Sequence, residues 1–489
     1  MMRKRGLRDR RSQQTKTKRH GDDTMSARGS TRAWLIVAML FLFMVINFAD
    51  KAVFGLAAVP IMHDLNLSPR EFGLVGSSFF LLFSLSGIGF GFVANRVQSK
   101  WLLALLAVIW SAVQFPLMTA SVTLPVLIVS RVLLGLGEGP AFPLAQHACF
   151  KWFDNAHRNV PNTIVQQGAS AGLMLAGPIL SYIIVRYDWH MAFFALGIVG
   201  VVWTALWLVI GRDGPVGAAK PARAGHAADT AHGAHQAPGS EQDNAGETIA
   251  YRHLLLNRTF MGVLFIYFVE YAVVSLAFTW FPVYLRLGLG YTPIVTGWLF
   301  SAIVGSFIPV SLLLAWVSQR LIRKGVSSRL ARGALVSGFA MAGGALFIAI
   351  SSGLDPVLKV ACLALGGAAS QLVFSFGPLM ISDIVTVRQR GALLGINSSI
   401  GTLAGLIAPA LMGGIVQANL GNPALGYEHG FLVVGALLLV SGALGLVLLN
   451  PEQSRQRILD AARRTRTQPL VGEGQQQRAV GPSMDLGQR

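Results

Sequence analysis

The chain alternates between long apolar segments and short polar ones. Twelve apolar segments have about 20 or more residues, the length at which a helix crosses ~30 Å of hydrocarbon. A helix satisfies its own backbone hydrogen bonds there, so each segment is predicted to be a membrane-spanning helix. The predicted spans are 33–60, 71–94, 100–119, 123–150, 161–186, 190–211, 256–286, 294–319, 330–351, 355–383, 391–418 and 428–450.

A polar segment divides these spans into two groups of six. Residues 212–255 are rich in Ala, Gly, Pro and His, a composition typical of a flexible linker. We therefore expect two six-helix bundles, 33–211 and 256–450, joined by a cytoplasmic linker. The basic N-terminal tail, 1–32, and the C-terminal tail, 451–489, are expected to be disordered and cytoplasmic.

The composition also indicates a membrane protein. Hydrophobic residues make up 53% of the chain and charged residues 13%, about half the charged share of a soluble domain. The formal net charge is +18, but the bases lie in tails and short loops rather than on a basic face with interleaved aromatics. We expect contact with membrane lipid and no nucleic-acid partner. Met25 is an alternative first residue to Met1.

Basic residues in the predicted loops indicate the orientation. Loops on the side of the N-terminus hold eleven Lys and Arg, and the opposite side holds only Arg70, Arg186, Arg286 and Lys359. Positively charged loops stay in the cytoplasm, so both termini are predicted to be cytoplasmic. We expect a multi-pass protein of the cell inner (plasma) membrane that needs no partner chain and is a monomer.

The two halves also resemble each other in sequence. Matching residues recur at a nearly constant offset, and an even number of spans per half makes the two repeats parallel in the membrane. The predicted fold is therefore an all-α membrane protein with twelve transmembrane helices in two parallel six-helix repeats. The matched pairs are Pro60 with Pro282, Gly87 with Ser311, Gly91 with Ala315, Asn95 with Gln319, Arg96 with Arg320, Gln166 with Asn397, and Pro178 with Pro409.

Five ionisable residues interrupt the apolar spans. Each costs roughly 2.5–3.5 kcal/mol at the centre of a spanning helix, so these side chains are expected to face a polar cavity or each other. Arg131 and Glu138 are seven residues apart, which places them on one helix face about 10 Å apart along the axis. The five residues are Asp50, Lys51, Arg131, Glu138 and Glu270.

These charges suit the binding of an anion and of protons. Arg131 offers a planar fork to a carboxylate, and Lys51 offers a point charge. Three acids against two bases leave one surplus negative charge, and burial disfavours that charge, which favours protonation. The alternative interpretation is two structural ion pairs, Asp50 with Lys51 and Arg131 with Glu138.

Five polar side chains in the spans are candidates for the same cavity. They can hydrogen-bond hydroxyl or carboxyl oxygens, and each alone is equally suited to holding two helices together. They are Asn47, Gln166, Tyr271, Gln371 and Asn397.

No pattern in the chain favours an enzyme. GASAG, residues 168–172, matches G-x-S-x-G but lies inside a predicted span rather than between a strand and a helix. No phosphate-binding G-x-x-x-x-G-K-[ST] loop occurs in the sequence. We expect no metal ion and no cofactor.

Several segments resemble motifs of a known family. NFADKA (47–52) is similar to N-Y-x-D-R of its first helix, and RVLLGLGEGPAFP (131–143) is similar to R-x-x-x-G-x-x-E-x-P-x-x-P. TWFPVYL (279–285) is similar to T-W-L-P-x-Y-L, and NSSIGTLAGLIAP (397–409) to the eleventh helix. On these motifs, residues 40–450 resemble the anion:cation symporter family of the major facilitator superfamily.

The resemblance implies proton- or cation-coupled uptake of an organic anion, the anion being a sugar acid or an aromatic or aliphatic carboxylate. Of these, we expect proton-coupled symport by alternating access. Carried over by position, Asp50 and Glu138 would be the proton-coupling acids. Lys51 and Arg131 would contact the anion, with Gln166 and Asn397 in the binding cavity. The alternatives are proton-coupled efflux of a drug or metabolite and a membrane sensor that does not transport, although no output domain is visible.

Several features depart from the family pattern, among them Lys51, which replaces the usual arginine of the first-helix motif. The superfamily loop G-x-x-x-D-R-x-G-x-R/K appears as GFVANRVQSK, residues 91–100. Asn95 replaces its acid, so the predicted gating loop of Asn95, Arg96 and Lys100 would form a weaker charge lock. Glu270 is not a family acid and is a third candidate proton-coupling residue; contact with a basic group on the substrate and a structural role are its alternatives.

Overall fold

The computed structural model describes residues 5–93, 96–119, 121–153, 157, 159–214, 249–385 and 387–467. Within these ranges the secondary structure is α-helical, with short 3-10 and π segments and no strand. The predicted all-α class is therefore confirmed. Asn95 and most of the central linker lie outside the described residues.

Eleven helices of this described part are long and apolar enough to span a membrane. The helix Pro69–Val93 has 25 residues and at 1.5 Å per residue is about 37 Å long, which completes the predicted twelve. They are called the first to the twelfth span in chain order: Thr31–Leu56, Pro69–Val93, Ser99–Met118, Leu124–Phe150, Val160–Arg186, Trp189–Ile210, Arg258–Thr279, Pro293–Arg323, Arg329–Ala349, Pro356–Ile384, Gln389–Gln417 and Pro423–Leu448.

Further helices lie outside the spans. The first span is the end of a helix that runs Arg5–Leu56, and the short helices Ala58–Asp64 and Tyr251–Leu255 precede the second and seventh spans. A last helix, Pro451–Thr467, follows the twelfth span. Helix thus occupies parts of both tails for which the sequence predicts disorder.

Several spans are interrupted within the bundle. In the fourth span the break falls at Gly139 and Pro140, because a proline has no amide hydrogen to donate to the preceding turn. This leaves Glu138 as the last residue of a helix. The interrupted spans consist of Leu124–Glu138 and Ala141–Phe150 (fourth), Arg258–Thr279 followed by Phe281–Val283 and the π-helix Tyr284–Gly288 (seventh), the π-helix Arg329–Ala334 and Leu335–Ala349 (ninth), Pro356–Ser370 and Leu372–Ile384 (tenth), and Val387–Thr402 and Ala404–Gln417 (eleventh).

Aromatic side chains fill the core of each half. In the first half the ring centroid of Phe43 lies 4.7 Å from that of Trp110 and 4.8 Å from that of Trp203. In the second half Phe431 packs 5.1 Å from Tyr284 in an edge-to-face arrangement. These contacts join the first, third and sixth spans in one half, and the seventh and twelfth in the other. Ring contacts also cross between the halves, since the Phe72 ring centroid lies 5.3 Å from that of Trp280.

The two halves meet most closely at the end of the bundle away from the chain termini. A Cβ at Gly177 of the fifth span would contact the Gly297 carbonyl oxygen of the eighth, and a Cβ at Gly297 would contact that of Gly177. Gly73 of the second span and Gly413 of the eleventh cross in the same manner. Small residues let helix backbones approach each other in lipid, so these glycines hold the halves together at this end.

Side-chain hydrogen bonds add to this contact. The Ser301 hydroxyl of the eighth span donates to the Met174 carbonyl of the fifth at 2.6 Å. Nearer the middle of the bundle, the Thr402 hydroxyl of the eleventh span donates to the Ser84 hydroxyl of the second at 2.8 Å. Both bonds run from one half to the other.

At the opposite end, one carboxylate holds three spans of the first half together. Asp213, which follows the sixth span, accepts hydrogen bonds from the backbone amides of Ser99 and Lys100 at 3.2 and 3.1 Å. It also pairs with Lys151, at the end of the fourth span, at 2.7 Å. A carboxylate at a helix N-terminus satisfies amides that have no partner within the helix, so Asp213 fixes the third, fourth and sixth spans relative to one another.

The glycine contact between the halves can be tested with one methyl group. G297A pushes a Cβ against the Gly177 carbonyl and the Ser181 hydroxyl, and such overpacking costs about 1–3 kcal/mol. We expect G297A to lower the free energy of unfolding in detergent by this amount. G338A, in the ninth span, is the matched control because nothing lies within 4 Å of its new Cβ. Equal stability of the two variants would contradict the contact.

Candidate functional site

The centre of the candidate site is an ion pair between the first and fourth spans. Lys51 Nζ lies 2.6 Å from Glu138 Oε2, and the two residues are 5% and 1% exposed. Lys51 Nζ also donates to Asn47 Oδ1 at 2.6 Å, one turn earlier on the same helix. Positions i and i+4 share a helix face, so the sequence spacing itself brings Asn47 to the ammonium group.

Glycines bring Glu138 into this position. A Cβ at Gly135 would contact the Phe79 carbonyl, and one at Gly139 would contact the Phe83 carbonyl, both in the second span. The fourth span therefore lies directly against the second and cannot carry larger side chains at these positions without moving. The segment GLGE consequently places a carboxylate deep in the bundle rather than at a helix surface.

Arg131 and Asp50 are buried beside this ion pair. The Arg131 guanidinium carbon lies 4.5 Å from the Phe54 ring centroid and 5.2 Å from that of Phe79, a favourable cation–π geometry. Asp50 is 0% exposed and interacts electrostatically with Glu138, Lys51 and Arg131. The four residues Asp50, Lys51, Arg131 and Glu138 are called the charge cluster below.

Part of the charge cluster lacks hydrogen-bond partners among the described residues. Neither carboxylate oxygen of Asp50 has one, although the Gln114 amide of the third span is its neighbour. Arg131 Nε and Nη1 are likewise buried without partners. A buried donor or acceptor without a partner costs about 1–3 kcal/mol. An added carboxylate would accept hydrogen bonds from the Arg131 donors, and a proton would remove the buried negative charge of Asp50.

The predicted polar companions lie at different distances from the charge cluster. Asn47 is part of it, and Tyr271 of the seventh span interacts with Glu138, so the second half also reaches the site. Asn397 is 2% exposed with Oδ1 unpartnered, and Gln166 and Gln371 are half-buried. These last three stay predicted binding residues, since no hydrogen bond or ion pair among the described residues joins any of them to the charge cluster.

The other predicted site residues lie elsewhere. Glu270 is fully buried in the seventh span beside Ser370 of the tenth. In the predicted gating loop Arg96 is exposed, and Lys100 Nζ donates to the Leu208 carbonyl at 2.7 Å, within the first half. Asn95 is not among the described residues. The role of this loop stays a prediction.

The structure adds residues that the sequence did not single out. Gln114 lies beside Asp50, and Phe54 and Phe79 flank Arg131. Gln114 could have been found from the sequence, because it is a polar residue inside an apolar span. The two phenylalanines could not have been found from the sequence. The chain has 28 phenylalanines, and only the fold shows which two face the guanidinium.

Twelve spanning helices in two halves, with charges buried between helices, are the architecture of a membrane transport protein. The chain belongs to the Major Facilitator Superfamily, whose family model matches residues 40–358 and 326–472.

Curated relatives cover almost the whole chain. A probable galactarate/D-glucarate transporter of Bacillus subtilis is 26% identical over 447 residues, which are 88% of this chain and 94% of the relative. A D-galactonate transporter of Escherichia coli is 27% identical over 84% of this chain and 96% of its own. A hexuronate transporter of Bacillus subtilis is 27% identical, with 85% and 94% covered. The resemblance predicted from the motifs is thereby confirmed.

Solved structures share the fold. A bacterial homologue of the human lysosomal transporter Spinster superposes with a TM-score of 0.67 at 18% identity, over 87% of this chain and 98% of that one. A D-xylose–proton symporter gives a TM-score of 0.65 at 14% identity, over 86% and 98%. The twelve-helix major facilitator fold is therefore confirmed, whereas the cytoplasmic position of the termini stays a prediction.

If Lys51 and Glu138 form a buried ion pair, single and double substitutions should change the free energy of unfolding by different amounts. K51M leaves Glu138 buried without its cation, and breaking a buried pair costs about 3–5 kcal/mol. The double variant K51M/E138Q removes both charges and is expected to recover most of that loss. The loss in K51M should shrink as the pH falls, because the unpaired Glu138 then takes up a proton that the unfolded chain binds less readily.

Chemical unfolding in detergent at several pH values measures this pattern, with G338A as a control for substitution in a span. If K51M and K51M/E138Q were equally unstable at every pH, Lys51 and Glu138 would not be energetically coupled.

Proposed function

We propose that the protein is a secondary active transporter that carries an organic anion together with protons by alternating access. The observation that carries the proposal is the charge cluster, in which two buried bases and two buried acids share one region of the first half. Fixed cations attract an anion, and acids that lack partners accept protons. One site then binds both cargoes.

The proposed cycle uses the two acids as a switch for the two bases. Protonation of Glu138 breaks its ion pair with Lys51, and protonation of Asp50 removes its charge from the same region. Lys51 and Arg131 are then available to the carboxylate of the substrate. After the anion and the protons leave, Lys51 pairs with Glu138 again, which neutralises the site for the return step.

The packing of the halves supports movement of two rigid bodies. Close backbone approaches between the halves, among them Gly177 with Gly297 and Gly73 with Gly413, lie at one end of the bundle. Parting this end while closing the other would expose a mid-membrane site to each side in turn. The proposal places both termini in the cytoplasm of a cell whose inner membrane holds the protein as a monomer.

The proposed substrates are sugar acids and related carboxylates. The named cargoes of the relatives are galactarate or D-glucarate, D-galactonate and hexuronate, all of which carry a carboxylate and several hydroxyls. Gln166, Gln371 and Asn397 offer amides for those hydroxyls, and Arg131 and Lys51 offer the charges for the carboxylate. Aromatic and aliphatic carboxylates, which lack these hydroxyls, test how much the substrate hydroxyls contribute to binding.

Uptake into proteoliposomes tests this proposal. With an inwardly directed proton gradient, we expect accumulation of at least one acid from a panel of D-glucarate, D-galactonate, D-glucuronate and benzoate. Accumulation should collapse when a protonophore dissipates the gradient. Accumulation that ignores the proton gradient for every acid of the panel would contradict proton coupling.

E138Q separates coupling from binding. A glutamine keeps the size of the side chain but cannot exchange a proton, so E138Q should abolish accumulation driven by the pH gradient. Exchange of external for internal substrate needs no net proton movement and should survive in E138Q. Full pH-driven accumulation by E138Q would remove Glu138 from the coupling mechanism.

A further inference from the structure

A cavity lies between the ninth and twelfth spans, at the end of the bundle that carries the chain termini. Its volume is about 420 Å³, which is large enough to hold a small ligand or part of a larger one. It shares no residue with the charge cluster, so it is a separate feature of the second half. Its lining residues are Ser327, Arg329, Leu330, Ala334, Leu446 and Leu449.

The lining of the cavity changes from polar to apolar along the spans. Ser327 and Arg329 lie at the start of the ninth span, and Ala334 lies further into it. The apolar walls are not covered by protein, since Leu330 is 57% exposed and Leu446 is 43% exposed. A phospholipid has the same order, because its polar headgroup lies at the membrane surface and its acyl chains lie in the hydrocarbon core.

The charge at the polar end of the cavity is positive. Arg329 is exposed and takes part in no ion pair or side-chain hydrogen bond among the described residues. The nearby acids already have partners, since Asp383 pairs with Arg332 at 2.6 Å and Glu452 accepts a hydrogen bond from the Ser328 amide at 2.6 Å. The Arg329 guanidinium is therefore available to an anion from outside the protein.

The whole segment that leads into the ninth span carries the same charge. Residues 320–332 contain five bases and no acid. Clusters of about four to eight Lys and Arg beside a spanning helix attract anionic lipids, and basic pockets between spans bind their headgroups. Residues 320–332 combine such a cluster with such a pocket. A soluble anion would use the same charge but would gain nothing from the leucine walls.

The backbone gives this cavity a defined shape. The π-helix Arg329–Ala334 forms one side of it, and π-helical segments occur frequently at functional sites. A Cβ at Gly333 would lie 3.0 Å from the Leu449 carbonyl oxygen. The ninth span and the end of the twelfth are therefore in contact beside the cavity, which is not simply a gap between separated helices.

We propose that this cavity binds an anionic phospholipid from the membrane leaflet on the side of the chain termini. Arg329 and Ser327 bind the phosphate of the headgroup, and an acyl chain lies along Leu330 and Leu446. The site goes beyond the proposed function, because it requires only that the protein spans a membrane. The bound lipid contacts both the ninth and the twelfth spans and so joins them at this end.

Lipid binding to the purified protein tests the site. Native mass spectrometry in a mild detergent gives apparent dissociation constants for phosphatidylglycerol and for phosphatidylcholine with the same acyl chains. We expect the wild type to bind its first phosphatidylglycerol more tightly than its first phosphatidylcholine. R329Q should weaken the binding of phosphatidylglycerol about fivefold, which is the effect of one basic residue near an anionic membrane surface.

Two control variants separate the cavity from its surroundings. R323Q removes the same charge from the same segment, but Arg323 does not line the cavity, so its affinity should stay close to that of the wild type. A334F keeps every charge and places a ring in the cavity, so it should also weaken phosphatidylglycerol binding. G89F adds a ring in the second span, where nothing lies within 4 Å of the new Cβ, and should bind as the wild type does.

Four results would overturn the lipid site. Equal wild-type affinities for the two lipids would show that no anionic headgroup is selected, even if the variants do not fold. Equal losses in R329Q and R323Q would assign the effect to the charge of the whole segment. Wild-type affinity in A334F would place the lipid outside the cavity. Displacement of phosphatidylglycerol by an equal concentration of inorganic phosphate would make the occupant a free anion.

Discussion

The structure depends on how four charges are kept out of water between the first, third and fourth spans. Lys51 and Glu138 neutralise each other at 2.6 Å, and Asn47 takes a further hydrogen of the ammonium group. Arg131 is held between aromatic rings, and Asp50 is left with no hydrogen bond among the described residues. An apolar replacement of such a group of charges is often at least as stable. Its presence is therefore best explained by binding, which is the role that the proposed function gives it.

The rest of the fold keeps the helices that carry these charges in place while the charges exchange their binding partners. Asp213 ties the third, fourth and sixth spans together at one end, so Gln114, Arg131 and Glu138 keep their relative positions. Glycine crossings join the halves at the other end, and ring contacts and three hydrogen bonds of the described residues also run between the halves. The proposed alternating access requires these contacts to be exchanged as the halves move.

Much of the fold could be predicted from the sequence, because apolar length alone specifies a spanning helix. The charges of the site were predictable too, since an ionisable residue stands out in an apolar span. Three things needed the structure. Asp50 and Lys51 are neighbours in sequence, yet Lys51 pairs with Glu138. Phe54 and Phe79 are indistinguishable in sequence from other core phenylalanines. Asp213 lies in a polar loop, where an aspartate is unremarkable, so the sequence does not indicate its contact with Ser99 of the third span, 114 residues away.

We propose that anion binding and proton binding occur at one site and support each other. Isothermal titration of the purified protein with D-glucarate or D-galactonate, in buffers of different ionisation enthalpy, measures the protons taken up per anion bound. We expect net proton uptake near neutral pH in the wild type, tighter binding as the pH falls, and no uptake at this site in E138Q with Asp50 also replaced by Asn. Anion binding in the wild type with no proton uptake at any pH between 5 and 8 would contradict it.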